Sequence, residues 1–179
     1  MPPSLKSEEN LPIQVNIPEE SLVYLAENVT APLFCDPVST AKAAKLLPIL
    51  DKIHTLKPNR LEAELLSGVK ISSKEDAEQA AQALLDKGVQ RVFLSMGADG
   101  VYVATKAQKL WKTNLSGNMV STTGCGDAFM AALVWAFLEE LDLEQTALAG
   151  LAAGSIAMES TETINPAMSA TALKNRMTQ

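Results

Sequence analysis

Cysteine and histidine are scarce in this chain of 179 residues, and each scarcity argues against a class of protein. The two cysteines, Cys35 and Cys125, lie far apart, which excludes a disulfide-rich secreted framework and favours a reducing, cytoplasmic setting. A single histidine and no Cys/His cluster at ligand spacing argue against a structural zinc site. We also expect neither a membrane span nor a signal peptide, because no long apolar run is present.

Positive charge is also in short supply. The 15 Lys and Arg residues face 21 Asp and Glu residues, which gives a net charge of −6. This balance argues against a nucleic-acid partner, which usually meets a basic surface. A nucleotide ligand is still allowed, since backbone amides can hold phosphate without net positive charge. With 47% hydrophobic residues, the chain is long enough for one globular domain with a core.

The order of predicted elements indicates an α/β protein. We expect a flexible leader over residues 1–12 and an ordered domain over 13–179. Alternating strands and helices favour a sheet of parallel strands with right-handed crossovers. The predicted helices are 18–28, 40–50, 59–68, 73–88, 128–138, 143–158 and 167–177, and the strands are 31–35, 52–56, 91–96, 101–105 and 109–112. The helix over 128–138 is almost wholly apolar, so we expect it to be buried on all sides.

A glycine-rich turn precedes that apolar helix. Gly124 and Gly126 flank one small residue and are followed by Asp127. Glycines allow a tight turn, and the free N–H groups of a first helical turn can bind an anion. Asp127 at the same end could accept a proton from an attacking hydroxyl. The alternative is an ordinary glycine turn with a capping aspartate, because short glycine motifs have many false positives.

Two further motifs also allow two interpretations each. Asn59 and Glu62 form a capping box at a helix start, or else hold water around Mg²⁺ and phosphate. The segment Ser95–Gly100 is a turn between strands, or a loop that touches a nucleotide at the carboxyl end of a strand. We interpret His54 as a structural residue and Lys57 as a solvated lysine.

In this order, the three motifs resemble the signatures of the PfkB (ribokinase-like) carbohydrate kinases. That family carries N-x-x-E, then [ST]-x-G-x-x-G, then D-T-T-G-A-G-D-A-F, matched here by Asn59/Glu62, Ser95–Gly100 and Ser121–Phe129. The resemblance covers roughly residues 15–179. It implies a three-layer α/β/α ribokinase-like sheet and ATP-dependent phosphoryl transfer to a hydroxyl of a sugar or nucleoside. Within the family, three segments resemble most the members that phosphorylate pseudouridine, which suggests pseudouridine as the acceptor. These segments are Asp36–Ser39, Ile53–Glu64 and Leu94–Gly97.

The resemblance also implies roles for single residues. Asp127 would be the catalytic base, and the anion hole would comprise Gly124, Cys125 and Gly126. The residues lining the ATP site would be Asn59, Ser95, Gly97, Gly100 and Gly126. Glu62 and Asn59 would organise Mg²⁺ through water. Part of the adenine pocket would come from Leu151–Ser155.

Two residues depart from the family pattern. Ser121 stands where the family usually has Asp. Ser121 and Thr123 would border a monovalent-cation site, and dependence on K⁺ is left open. Cys125 stands where the family usually has Ala, Gly or Ser. It is either a small buried residue or, beside a helix N-terminus, a reactive thiol of lowered pKa.

The largest departure concerns length, since family members are about twice as long. We expect an incomplete sheet that lacks the N-terminal strands and the β lid, and therefore the acceptor-binding half. One alternative is therefore a catalytically incompetent nucleotide-binding or partner module, and another is an α/β nucleotide-binding protein without phosphoryl transfer. Exposed sheet edge would favour self-association as a homo-oligomer. The expected partners are otherwise a small-molecule sugar or nucleoside, with no nucleic acid and no membrane.

Overall fold

The computed structural model describes residues 11–14 and 16–178, with side chains from residue 16 onward. The chain divides into two compact units, one comprising Met1–Met96 with Tyr102–Lys109 and the other Gly97–Val101 with Leu110–Gln179. Of the predicted leader, residues 1–10 lie outside the described residues. Leu11 and Pro12 belong to a strand, and the division into leader and domain stays a prediction.

The first unit is built on parallel strands that alternate with helices. In chain order its elements are β1 (Leu11–Gln14), α1 (Glu19–Asn28), β2 (Leu33–Asp36), α2 (Thr40–Ala43), β3 (Ile53–Leu56), α3 (Arg60–Ser67), α4 (Lys74–Asp86) and β4 (Arg91–Ser95). Strands β1 to β4 pair in parallel with their neighbours in this order. The strands after β1 are largely buried and apolar, as expected where helices cover a parallel sheet. This confirms the predicted α/β class.

Local sequence signals set the helix boundaries of this unit. Asn59 and Ser73 each open a helix with a reciprocal capping box, closed by Glu62 and Asp76. Helix α3 ends at Gly68, whose φ of 83° is readily adopted only without a side chain. The predicted starts of both helices are therefore confirmed.

The predicted helix over 40–50 differs in the structure. Only Thr40–Ala43 is α-helical, and Ala44–Lys52 continues as a 3₁₀ helix. Pro48 lies inside this segment and lacks the N–H that an α-helix would need at that position. Strand β1 was missed altogether.

Two further strands extend the sheet. These are β5 (Val101–Thr105) and β6 (Lys109–Lys112), and the six strands are hydrogen-bonded in the order β1-β2-β3-β4-β5-β6. A three-residue connection joins β5 to β6, and the Thr105 N–H donates to the Gln108 carbonyl at 2.8 Å. The predicted hairpin is confirmed at the predicted bounds.

The second unit is mainly a group of three helices. They are α5 (Cys125–Leu138), α6 (Leu143–Met158) and α7 (Ala170–Met177). Small side chains let α5 and α6 approach closely, since a Cβ built on Gly150 would lie 2.5 Å from the ring of Phe129. The buried members of their shared core are Ala132, Ala136, Ala149, Ala152, Ala153 and Leu173.

Helix α5 is not buried on all sides, which corrects the prediction. Ala131 is exposed and Leu138 is 62% exposed. Ala132 and Ala136 of α5 lie in the core that it shares with α6, and an α-helix presents only part of its circumference to one neighbour. In the described part of the chain, no helix has the length and apolar character that a membrane span requires.

Candidate active site

A glycine in the left-handed region opens helix α5. Gly124 is the N-cap residue with a φ of 81°, and the helix begins at Cys125. A Cβ on Gly124 would lie 2.4 Å from the carbonyl oxygen of Thr163. Any side chain here would therefore meet both backbone strain and a steric clash.

The first turn of α5 presents backbone donors beside a carboxylate. The N–H groups of Cys125 and Gly126 lie in the first helical turn, where the helix itself supplies no carbonyl four residues earlier. The Cys125 N–H reaches the turn carbonyl of Thr122 at 3.4 Å. Gly126 and Asp127 are exposed. The helix dipole adds partial positive charge at this end. The arrangement can hold an anion, and a carboxylate lies in the same helical turn.

The segment before the turn rests on the C-terminal end of α6. The N–H groups of Val120 and Ser121 both donate to the carbonyl of Met158, at 2.8 and 3.1 Å. The Ser121 hydroxyl accepts the N–H of Thr123 at 3.2 Å. The Ser121 side chain thus supports the turn itself, and the predicted cation role of Ser121 and Thr123 stays a prediction.

Cys125 is a half-buried thiol without thiolate character. Burial raises its pKa, and a backbone hydrogen bond only partly opposes that effect. Its Sγ lies 3.9 Å from the carbonyl oxygen of Ser121. The alternative of a reactive thiol with a lowered pKa is therefore wrong, and Cys125 serves as a small residue at the start of the helix.

In the first unit, Asn59 and Glu62 cap helix α3. The Asn59 N–H donates to Glu62 Oε2 at 2.8 Å, and the Glu62 N–H donates to Asn59 Oδ1 at 3.0 Å. Glu62 is 2% exposed, and burial raises its pKa, although the hydrogen bond from Asn59 opposes this. The capping interpretation is confirmed, and one oxygen of each side chain is engaged in it.

A buried ion pair lies at the same edge of the sheet and was missed in the sequence. Lys57 Nζ lies 2.9 Å from Asp36 Oδ2, with the two side chains 8% and 11% exposed. Lys57 is therefore not a solvated lysine, because it follows β3 directly and points towards the end of β2. The signal was available, since Asp36 and Lys57 each end or follow a buried strand and parallel strands end at one edge.

Ser95 joins this group at the end of β4. It forms an isolated parallel bridge with Asn59, and its N–H donates to the Pro58 carbonyl at 3.0 Å. The structure thus brings together the ends of β2, β3 and β4, carrying Asp36, Lys57, Asn59 and Ser95.

In the second unit, Gly97–Asp99 form a short 3₁₀ turn that Gly100 follows. Gly100 has a φ of 93°, and a Cβ there would lie 2.0 Å from the Lys112 carbonyl, so packing alone demands glycine. Gly97 has a φ of 60°, and a Cβ would have no atom within 4 Å, which leaves its backbone open to approach. Asn114, missed in the sequence, donates to the Gly97 carbonyl at 2.8 Å.

His54 has a structural role. His54 stays neutral near pH 7, because burial and then the charge of Arg91 lower its pKa to about 4.

Within Leu151–Ser155 only Gly154 is half exposed, and the other four residues are buried. The Ser155 hydroxyl donates to the Ala152 carbonyl at 3.0 Å. These positions support the helix pair, and a contact with adenine stays a prediction.

Few side chains of the protein could bind Mg²⁺ directly. Across residues 11–14 and 16–178, no group of three or more His, Cys, Asp or Glu side chains could hold a metal ion. Mg²⁺ often keeps several waters and binds through one or two protein groups plus substrate phosphate. The carboxylate of Glu62 and the amide of Asn59 fit that limited role.

Comparisons with known proteins show the family of this chain. The model of the pfkB family carbohydrate kinases matches residues 19–170. The chain belongs to the pfkB family of carbohydrate kinases. Pseudouridine kinase of Escherichia coli (strain K12) is 38% identical over 156 residues, which are 86% of this chain and 50% of that protein. A ribokinase of Haemophilus influenzae is 34% identical over 110 residues, covering 62% of this chain and 36% of the relative.

A solved structure has the same fold. The ribokinase of Thermotoga maritima superposes with a TM-score of 0.84 at 25% identity, covering 97% of this chain and 58% of that one. This pfkB chain thus spans about half the length of the curated pseudouridine kinase that it matches. The recognition of the family and of the ribokinase-like α/β fold from sequence is confirmed.

Proposed function

We propose that this pfkB chain carries the nucleotide and catalytic site for ATP-dependent phosphoryl transfer to a hydroxyl of a sugar or nucleoside. The observation that carries the proposal is the turn at Gly124, which opens α5 with donor N–H groups and places Asp127 in the same turn. Family membership supports the assignment, because an isolated glycine turn could equally be a simple helix start.

In the proposed reaction Asp127 acts as the general base. Its carboxylate takes the proton of the acceptor hydroxyl while that oxygen attacks the γ-phosphorus in line. The bond from the γ-phosphorus to the β–γ bridging oxygen breaks, and ADP leaves with that oxygen. The N–H groups of Gly124, Cys125 and Gly126 would stabilise the charge that gathers on the transferred group.

Two residues at the start of α3 would organise the phosphates. Asn59 and Glu62 would hold Mg²⁺ through water, and the ion would neutralise phosphate charge when bound. Ser95, Gly97 and Gly100 would border ATP, with the open backbone at Gly97 suited to close approach. Ser121 and Thr123 would border K⁺ if the protein uses a monovalent cation.

For the acceptor we propose pseudouridine, converted to pseudouridine 5′-phosphate. The support is the 38% identity to E. coli pseudouridine kinase over most of this chain. Ribokinases also match, so ribose is the competing acceptor. The chain would act on a small molecule, and we propose a homo-oligomer as its assembly.

The test is an acceptor panel with the purified chain, ATP and Mg²⁺. Pseudouridine, uridine and ribose are compared by following product phosphate with ³¹P NMR, and ATP·Mg binding is measured by calorimetry. We expect pseudouridine to be phosphorylated fastest. Binding of ATP·Mg without transfer to any acceptor would instead favour a nucleotide-binding module, and absence of binding would contradict the proposal.

A further inference from the structure

An ion pair behind the catalytic turn joins three parts of the second unit. Arg176, in the last turn of α7, donates from Nη1 to Glu159 Oε1 and from Nη2 to Glu159 Oε2, both at 3.0 Å. Nη1 also lies 3.0 Å from the Ser155 hydroxyl of α6 and 3.3 Å from the carbonyl of Ser116. One guanidinium therefore links α7, the end of α6 and the loop before α5.

The same ion pair holds that loop at a second point. The Glu159 carboxylate accepts the N–H of Asn118, and its bonds to Arg176 are the largest cause of its lowered pKa. Between these points lies Gly117, where a Cβ would be 3.2 Å from Glu159 Oε1 and 3.4 Å from Arg176 Nη1. The backbone of the loop thus lies directly over the ion pair.

The loop continues from these contacts into the catalytic turn. Val120 and Ser121 donate to the carbonyl of Met158, which is the residue before Glu159. Ser121 then accepts the N–H of Thr123, and Gly124 lies against Thr163. These contacts with residues 116–124 come from Arg176 and from residues 158–163.

The chemistry of Arg176 suits a fixed support rather than a ligand contact. Its charge is matched by Glu159, its side chain is 17% exposed, and four hydrogen bonds engage it. The planar fork of arginine meets both carboxylate oxygens, which a lysine ammonium cannot do. Leu173, buried in the helix core one turn earlier, keeps α7 in place.

We propose that Arg176, paired with Glu159, is a positioning residue that fixes residues 116–124 and so places the donor N–H groups and Asp127 for phosphoryl transfer. The inference rests on the function proposed above, since it names a support of that same site. A displacement of about 1 Å can reduce a rate by about 100-fold. Loss of the arginine fork should therefore lower kcat more than it changes KM.

The test compares Arg176→Lys with Lys174→Ala as the matched control. Lys174 lies on the same helix, but its contacts are with Glu139 at 3.4 Å and with the Trp135 ring at 5.6 Å. Both variants are assayed for kcat and KM, and amide hydrogen exchange is read by mass spectrometry without ligand. We expect Arg176→Lys to lower kcat by roughly 10- to 100-fold. Faster exchange should be confined to residues 116–126, and Lys174→Ala should change neither measurement.

A second variant disturbs the contact from the loop side. Gly117→Ala keeps both charges but presses a methyl group on the ion pair, so we expect the same local rise in exchange and a smaller loss of kcat. Unchanged exchange in residues 116–126 of Arg176→Lys would overturn the proposal, as would faster exchange spread evenly over α6 and α7. The exchange measurement needs no turnover, so it tests the support of the loop even if the wild-type chain transfers no phosphate. Absence of phosphate transfer by the wild-type chain would count against the proposed function alone.

Discussion

Two glycines of helix α6 offer a direct measurement of how tightly α5 and α6 pack. A Cβ on Gly150 would lie 2.5, 2.6 and 2.8 Å from three ring carbons of Phe129, whereas a Cβ on Gly154 would have no atom within 4 Å. Carbon atoms make favourable contact at about 3.5–4.0 Å, so Gly150→Ala forces the ring or the helix to move by roughly 1 Å. Gly154→Ala meets no such obstacle.

The expected magnitudes follow from two opposing effects. Replacing glycine by alanine inside a helix stabilises it by about 1 kcal/mol, and both variants share this gain. Overpacking a core costs about 1–3 kcal/mol, and only Gly150→Ala incurs that cost. We therefore expect Gly154→Ala to raise the free energy of unfolding by up to about 1 kcal/mol. The free energy of unfolding of Gly150→Ala should be about 1–3 kcal/mol lower than that of Gly154→Ala.

The assay is urea unfolding followed by tryptophan fluorescence. The two tryptophans, Trp111 and Trp135, both lie in the second unit and report on its unfolding. Because Phe129 follows Asp127 by two residues, Gly150→Ala should also weaken ATP·Mg binding relative to the parent chain. Equal stability of the two variants would refute the close packing of Gly150 on Phe129.

Two further predictions concern buried charges in the first unit. Lys57→Met leaves Asp36 buried without its partner and should cost about 3–5 kcal/mol in the free energy of unfolding. The double variant Lys57→Met with Asp36→Asn should recover much of that loss. Both are measured by urea unfolding followed by circular dichroism. Failure of the double variant to recover stability would argue against the ion pair as the cause. His54 has a folded pKa of about 4, below its ordinary value of 6.5, so the unfolded chain binds the proton more readily between these values. Stability should therefore fall as pH drops from about 6.5 towards about 4, and His54→Gln should flatten that dependence; an unchanged slope would contradict the lowered pKa.

The sequence predicted local structure best where a short-range signal acts alone. The capping boxes at Asn59 and Ser73 and the hairpin of β5 and β6 depend on neighbouring residues, and all were found at the expected places. Strand β1 was missed because four residues carry little pattern and its pairing with β2 is a long-range contact.

The errors in burial have a similar origin. Lys57 reads as a solvated residue in isolation, and only the parallel pairing of β2 and β3 brings Asp36 to it. Helix α5 is apolar in sequence, but its exposed Leu138 depends on which side meets α6. The Gly124 turn was located from sequence, whereas its support by Met158 and Thr163 depends on tertiary structure.

The central claim is that Asp127 is the base of a phosphoryl transfer whose anion site is the turn at Gly124. Asp127→Asn keeps the shape of the side chain and the helix start but removes the proton acceptor. The most direct measurement sets turnover of pseudouridine beside ATP·Mg affinity, for this variant and the parent chain under the same conditions. The account predicts that turnover is lost while the affinity for ATP·Mg stays nearly unchanged. Near-normal turnover by Asp127→Asn would contradict it.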